Sequence, residues 1–160
     1  MKKKMIGPFG ILSLHIPQTE RRMSVKELTL EAKVANLQQV LDFVDENLTS
    51  MRCPMKILMQ IDVAVEEIFV NVASYAYAPD TGSVTIRMDL QENPRSVVIT
   101  FIDSGVPYNP LAKADPDVTL SAEERAIGGL GIYMVKKSMD KMEYEYTDKQ
   151  NILKMYKIIE

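Results

Sequence analysis

A glutamate and an asparagine, four residues apart, have side chains that together could bind a metal ion and activate a nucleophile. Glu67 and Asn71 lie in a predicted helix, so their side chains leave one face about 40° apart. The amide oxygen of an asparagine is a ligand that Mg²⁺ accepts. The carboxylate can hold or deprotonate a nucleophile beside that metal. This spacing alone is also typical of a solvated helix face, so the prediction depends on the other motifs.

The second motif is Asp103-Ser104-Gly105, which directly follows the predicted strand Ser96–Ile102. An aspartate at a strand end can accept a hydrogen bond from the exocyclic amine of a base, and Gly105 would permit a close approach. The alternative is a plain Asp-Ser-Gly turn.

The third motif is a run of glycines, Gly128, Gly129 and Gly131, before a predicted helix, Ile132–Met139. Glycines that lead into a helix expose backbone N–H groups beside the positive end of the helix dipole, which suits phosphate. The alternative is a flexible hinge that caps the helix. A base amine, a metal and phosphates are the parts of one nucleotide, so the three motifs together predict a nucleotide site.

The elements that would position these motifs follow the order β-α-α-β-β-loop-α-β-β. Because the strands cluster as sequence neighbours, we expect an α+β two-layer sandwich with a mixed, mostly antiparallel sheet and helices on one face. The loop over Asp103–Ile127 is of a length usual for functional lids, and a turn at Asp148–Asn151 joins the last two strands. The other predicted strands are Lys26–Ala32, Ser83–Leu90, Lys141–Tyr146 and Ile152–Ile158, and the other helices are Asn36–Met51 and Pro54–Tyr75.

Composition excludes several classes of protein. The 160 residues are 46% hydrophobic and 26% charged, which is typical of one globular domain. A net charge of -3 argues against nucleic-acid binding. Cys53 is the single cysteine, so an internal disulfide and a multi-cysteine zinc site are excluded. His15 is the single histidine, so the rest of the chain cannot form a Ser-His-Asp triad.

The first 22 residues differ from the rest. Lys2, Lys3 and Lys4 precede an apolar stretch that Gly7 and Pro8 interrupt, so a signal peptide is not expected. We expect residues 1–22 to be a flexible extension or a misplaced start, and residues 23–160 to form the domain. No stretch reaches the roughly 20 apolar residues of a membrane span, and we expect a cytoplasmic protein without membrane contact.

The combination of motifs resembles the N, G1 and G2 boxes of the GHKL ATPase fold. It is more narrowly similar to the stand-alone RsbW/SpoIIAB-type anti-sigma-factor serine kinases. The resemblance covers about Lys26 to Lys157, and the matching segments are Ala64–Tyr77, Asp103–Leu111, Pro116–Asp140 and Asn151–Met155. It implies the Bergerat ATP-binding fold with a long ATP lid. Two positions depart from the family pattern: Pro107 stands where the broad superfamily has a second glycine, and Tyr75 where these kinases often have histidine.

The resemblance implies a role for each matching residue, with ATP and Mg²⁺ as cofactors. Glu67 would activate the attacking hydroxyl, Asn71 would ligate Mg²⁺, and Asp103 would bind the adenine amine beside Gly105 and Pro107. Arg125, at the end of the lid, is our own candidate for a transient phosphate contact. The backbone that would cradle the phosphates is that of Gly128, Gly129, Leu130, Gly131 and Ile132.

Two functions follow from the resemblance. The first is transfer of the ATP γ-phosphoryl group to a serine or threonine of a STAS-type antagonist protein. The second is a non-catalytic, ATP-dependent module that sequesters a sigma factor or another regulator. An orphan histidine-kinase catalytic domain acting on another chain is a third interpretation. Because dimerisation is common among such relatives, the resemblance also makes a homodimer an option.

Overall fold

The sheet that carries the site has five strands, all joined by antiparallel pairings. The computed structural model describes residues 22–121, 123 and 129–160. The strands follow the spatial order β1-β2-β3-β5-β4, so the two sequence-adjacent pairs form hairpins and β5 joins them beside β3. The strands are β1 (Arg22–Glu31), β2 (Ser83–Glu92), β3 (Arg95–Asp103), β4 (Lys141–Thr147) and β5 (Gln150–Ile158).

The expected α+β sandwich is confirmed, with two differences in the sheet. The sheet of the described strands is fully antiparallel and not mixed. The β2–β3 and β4–β5 pairs are hairpins, and the β1–β2 and β3–β5 pairs are antiparallel as well. The turn between β4 and β5 is shorter than the predicted turn at Asp148–Asn151. Asp148 and Lys149, between the two strands, have positive φ of 51° and 60°, as a tight two-residue hairpin turn requires. Asn151 therefore lies inside β5.

Within the described residues, three α-helices accompany the sheet: α1 (Leu37–Ser50), α2 (Met55–Asn71) and α3 (Leu130–Ser138). The predicted second helix over Pro54–Tyr75 is split in the structure, since regular α-helix ends at Asn71 and a π-helical turn, Val72–Ala76, continues it. A π-helical turn is a feature often found at functional sites. The turn carries the chain from α2 towards the loop that follows β3. None of the helices in the described ranges is long and apolar enough to cross a membrane.

The core lies between the helices and one face of the sheet. In β2, alternate residues Val84, Ile86, Met88 and Leu90 are buried, which is the period-2 pattern of a sheet with one covered face. The helices contribute apolar side chains at helical spacing to the same cluster, including Val40, Val44, Leu48, Ile61, Val65, Ile68 and Phe69. Packing of α2 against this core leaves the opposite edge of the helix free to carry polar groups.

A pair of carboxyl groups lies between α1 and α2, away from the predicted site. Asp45 Oδ1 and Asp62 Oδ1 are buried oxygens without a hydrogen-bond partner in the described structure. Burial, a hydrogen bond with the Asp45 side chain and the Asp45 charge raise the pKa of Asp62 to about 7. Two carboxyl groups can share a hydrogen bond only when one of them carries the proton, so this contact favours the protonated form.

We expect the free energy of unfolding to fall as pH rises from about 4 to about 7, because the folded chain holds a proton on Asp62 that the unfolded chain releases. Asp62→Asn should flatten this dependence and stabilise the protein by about 1 kcal/mol at about pH 8, since solvent screens part of the repulsion. Denaturant unfolding across this pH range measures it. Glu46→Gln, on the exposed face of α1, is the control, and an unchanged pH dependence in Asp62→Asn would contradict the prediction.

Candidate nucleotide-binding site

A cavity of about 630 Å³ lies where α2, the loop after β3 and the start of α3 meet. It brings together most of the residues that the sequence predicts for the site. The predicted residues that line it are Glu67, Asn71, Asp103, Pro107, Gly129, Leu130, Gly131 and Ile132. Arg125 and Gly128 lie outside the described residues, and Gly105 is not among the residues of the cavity wall. Three motifs far apart in the sequence therefore share one cavity.

Glu67 and Asn71 contact each other on α2. Asn71 Nδ2 donates a hydrogen bond to Glu67 Oε1 at 3.2 Å. This bond uses the amide nitrogen and leaves Asn71 Oδ1 without a hydrogen bond in the described structure. An amide oxygen beside a carboxylate fits Mg²⁺, a hard cation that takes oxygen ligands. The described residues contain no group of three or more His, Cys, Asp or Glu side chains that could hold a metal.

Gly131 allows the start of α3 to lie directly against Glu67. A Cβ on Gly131 would stand 2.0 Å from Glu67 Oε1, which is far inside van der Waals contact. Gly131 is the second residue of α3, and the first intrahelical bond there is Tyr133 N to Gly129 O, at 3.1 Å. The N–H groups of Leu130, Gly131 and Ile132 therefore have no partner within the helix. These donors and the positive end of the helix lie beside the Glu67–Asn71 pair.

Asp103 ends β3 and is 7% exposed. Its Oδ1 atom accepts two hydrogen bonds at 2.9 Å, from Gly105 N and from Asn151 Nδ2. Both bonds reach the same oxygen, so among the described residues Oδ2 is left for a donor from a ligand. A buried carboxylate needs such donors, because an unpaired charge removed from water is costly.

Asn151 is a site residue whose role the sequence motifs do not predict. It faces Asp103 across the β3–β5 pairing and uses its whole side-chain amide. Nδ2 donates to Asp103 Oδ1 and to Val106 O, while Oδ1 accepts from Tyr108 N and from the Tyr144 hydroxyl. Asn151 falls in the turn that the sequence predicts at Asp148–Asn151. The pairing of Asn151 with Asp103 becomes evident only from the β3–β5 register.

Gly105 is needed for packing within the protein. A Cβ there would stand 2.2 Å from the carbonyl oxygen of Ala76, and Val106 N donates a hydrogen bond to that oxygen at 2.8 Å. The loop after β3 thus closes onto the π-helical turn. Tyr77 supports the same contact, since its hydroxyl accepts from Ser104 N and donates to Ser83 O. Burial is the main cause that raises the pKa of Tyr77, so its hydroxyl keeps the proton it donates.

A family model described as "Histidine kinase-like ATPase domain" matches residues 30–157. The chain belongs to this family. The match begins within β1, ends within β5 and includes every residue of the cavity wall named above, so the cavity lies within the matched domain.

Individual proteins that carry the name of a protein kinase are also similar to the chain. It is 26% identical over 153 residues to "Serine-protein kinase RsbW" of Bacillus mycoides (strain KBAB4) and of Bacillus cereus (strain AH820). Each alignment covers 93% of this chain and 86% of the relative. Among solved structures, the RsbU and RsbW domains of Rv1364c from Mycobacterium tuberculosis match with a TM-score of 0.60 at 15% identity. That match covers 84% of this chain and 32% of the other, and it shows the fold.

We expect Gly131→Ala to destabilise the protein by about 1–3 kcal/mol, the usual cost of overpacking, because the new Cβ overlaps the Glu67 carboxylate. A double-mutant cycle measures the contact: the same substitution made in Glu67→Ala should cost less, since the overlapping atoms are gone. An equal cost in both backgrounds would show that α3 does not lie against Glu67.

Asn151→Ala should destabilise the protein by about 1–3 kcal/mol, because buried donors and acceptors lose their partners. Asn151→Asp should be destabilised more at about pH 8 than at about pH 5, because two carboxylates then face each other in a buried place. Denaturant unfolding of both variants at the two pH values measures this difference. Wild-type stability of Asn151→Asp at the higher pH would contradict the network.

Proposed function

We propose that the protein binds Mg-ATP in this cavity and transfers the γ-phosphoryl group to a serine or threonine hydroxyl of a partner protein. The observation that carries the proposal is the meeting of Glu67, Asn71, Asp103 and the α3 N-terminus in one cavity of a histidine kinase-like ATPase domain. The relatives named serine-protein kinase RsbW support kinase activity at the level of the family.

Adenine would lie at the Asp103 end of the cavity. Its exocyclic amine can donate to Asp103 Oδ2, because both protein donors to Asp103 reach Oδ1. Asn151 holds the carboxylate in that orientation. Pro107 and Ile132 line the same cavity and offer apolar surface, as ligand sites with few polar groups usually do.

The phosphates would lie at the start of α3. The N–H groups of Leu130, Gly131 and Ile132, which have no partner within α3, can donate to phosphate oxygens, helped by the helix dipole. Mg²⁺ held by Asn71 Oδ1 would neutralise charge on the phosphates. Gly128 and Arg125, both outside the described residues, are predicted to add backbone and side-chain contacts to them.

Glu67 is the proposed base. Its carboxylate lies between Asn71 and Gly131, where it can receive a hydroxyl from the partner protein. The hydroxyl oxygen would attack the terminal phosphorus while its proton passes to Glu67. The bond from that phosphorus to the bridging oxygen then breaks, and ADP leaves with the electron pair. Such transfer depends mainly on positioning and on charge neutralisation.

The proposed phosphoacceptor is a STAS-type antagonist of an anti-sigma factor. The similarity to RsbW over 93% of the chain supports this class of partner, and a sigma factor would be the second partner. A homodimer is part of the same proposal. The competing function, a non-catalytic module that sequesters a sigma factor, uses the same nucleotide site and differs only in the transfer step.

Calorimetry of Mg-ATP binding tests the site. We expect Asp103→Asn to weaken binding by about tenfold or more, the cost of a lost charge-assisted hydrogen bond. Asn71→Ala should abolish the dependence on Mg²⁺. Glu66→Gln, on an exposed neighbour of Glu67 outside the cavity wall, is the matched control and should bind as wild type does. A wild-type chain that binds no nucleotide would contradict the proposal.

Transfer of labelled phosphate from ATP to STAS-type proteins separates the two functions. We expect transfer by the wild type and its loss in Glu67→Gln, which should still bind Mg-ATP within a few-fold of wild type, because only the base is removed. Nucleotide binding without transfer to any such protein would support the sequestering module instead.

A further inference from the structure

A lysine of the loop after β3 lies against the start of α3. The Cε and Nζ atoms of Lys113 are each 3.7 Å from the position that a Cβ would take on Gly129. Gly129 precedes α3 and has φ of 84°. Lys113 also lines the cavity, so its ammonium group lies near the end of α3 whose N–H groups have no partner within the helix.

Lys113 is the unpaired cation of the described cavity wall. The other lysine of that wall, Lys136, forms an ion pair with Asp115. Lys113 makes no hydrogen bond or ion pair within the part of the chain that the structure describes. The ion pair of Lys136 with Asp115 joins α3 to the loop two residues beyond Lys113, which holds Lys113 near Gly129.

Lys113 and Glu67 flank the same turn of α3. Glu67 lies against the turn at Gly131, while the end of the Lys113 side chain lies near Gly129. A phosphoryl group placed for attack by a hydroxyl on Glu67 must lie next to that carboxylate. A phosphate bound between Glu67 and Lys113 would therefore be the terminal one, and it would carry the charge that a nucleoside diphosphate lacks.

We propose that Lys113 binds the terminal phosphate of a nucleoside triphosphate and thereby distinguishes it from the diphosphate. This role rests on the proposed nucleotide site, and it assigns recognition of the terminal phosphate to Lys113. An ammonium group is a compact point charge with three donors. Placed beside three backbone N–H groups, it would form a charge-assisted contact that is made with the triphosphate alone.

Affinities for Mg-ATP and Mg-ADP, measured by calorimetry on the full chain, test this role. Lys113→Met keeps most of the length of the side chain and removes the charge. We expect it to weaken ATP binding about tenfold, equivalent to about 1.4 kcal/mol, and ADP binding by less than about threefold. Lys113→Arg should restore most of the preference for ATP. Lys137→Met is the matched control, because Lys137 lies on the exposed side of α3 outside the cavity wall and should change neither affinity.

Two results would overturn the proposal. If Lys113→Met leaves ATP affinity unchanged, or weakens ATP and ADP equally, Lys113 does not contact the terminal phosphate although the nucleotide site stands. If the wild-type chain binds neither nucleotide, the proposed function fails together with this role. Thermal unfolding of each variant checks that a changed affinity reflects binding by a folded protein.

Discussion

The hydrogen bond from Asn151 Nδ2 to Asp103 Oδ1 is the contact on which the site depends most. Asp103 is a carboxylate at the end of β3 with 7% of its surface exposed, where an unpaired charge would be costly. Asn151 Nδ2 donates to Asp103 and also to Val106 O in the loop after β3. Asn151 Oδ1 accepts hydrogen bonds from Tyr108 N in the same loop and from the Tyr144 hydroxyl. One side chain thereby ties two strand pairings and the loop together at the wall of the cavity.

Helix α2 joins the core to this site. Its apolar face, with Ile61, Val65 and Phe69, is buried against the sheet, while Glu67 and Asn71 leave another face into the cavity. Because one rigid helix carries both sets, packing in the core fixes where the carboxylate and amide stand. Gly131 then lets α3 reach Glu67, and Gly105 lets the loop after β3 reach the end of the π-helical turn. Because Gly105 and Gly131 have no Cβ atom, the loop after β3 and the start of α3 can both pack closely around α2 and the turn that follows it.

Features set by local geometry could be predicted from the sequence. The pairing of Glu67 with Asn71 follows from helical spacing alone, and the alternation in β2 predicts which of its residues are buried. Features that depend on contacts between distant segments could not. The role of Asn151 depends on the β3–β5 register, and the contact of Gly131 depends on how α3 crosses α2. The family resemblance named most of the candidate site residues, but it gave neither the role of Asn151 nor the contacts that hold these residues in place.

The central claim is that one nucleotide spans the cavity from Asp103 to the start of α3. Backbone amide chemical shifts, followed by NMR during titration with Mg-ATP, test it most directly because they report both ends in one experiment. We expect the amides of Leu130, Gly131 and Ile132 and those of Ser104 and Gly105 to shift together and to saturate at one ATP concentration. Saturable shifts confined to other parts of the chain, or no shifts at all, would contradict the claim.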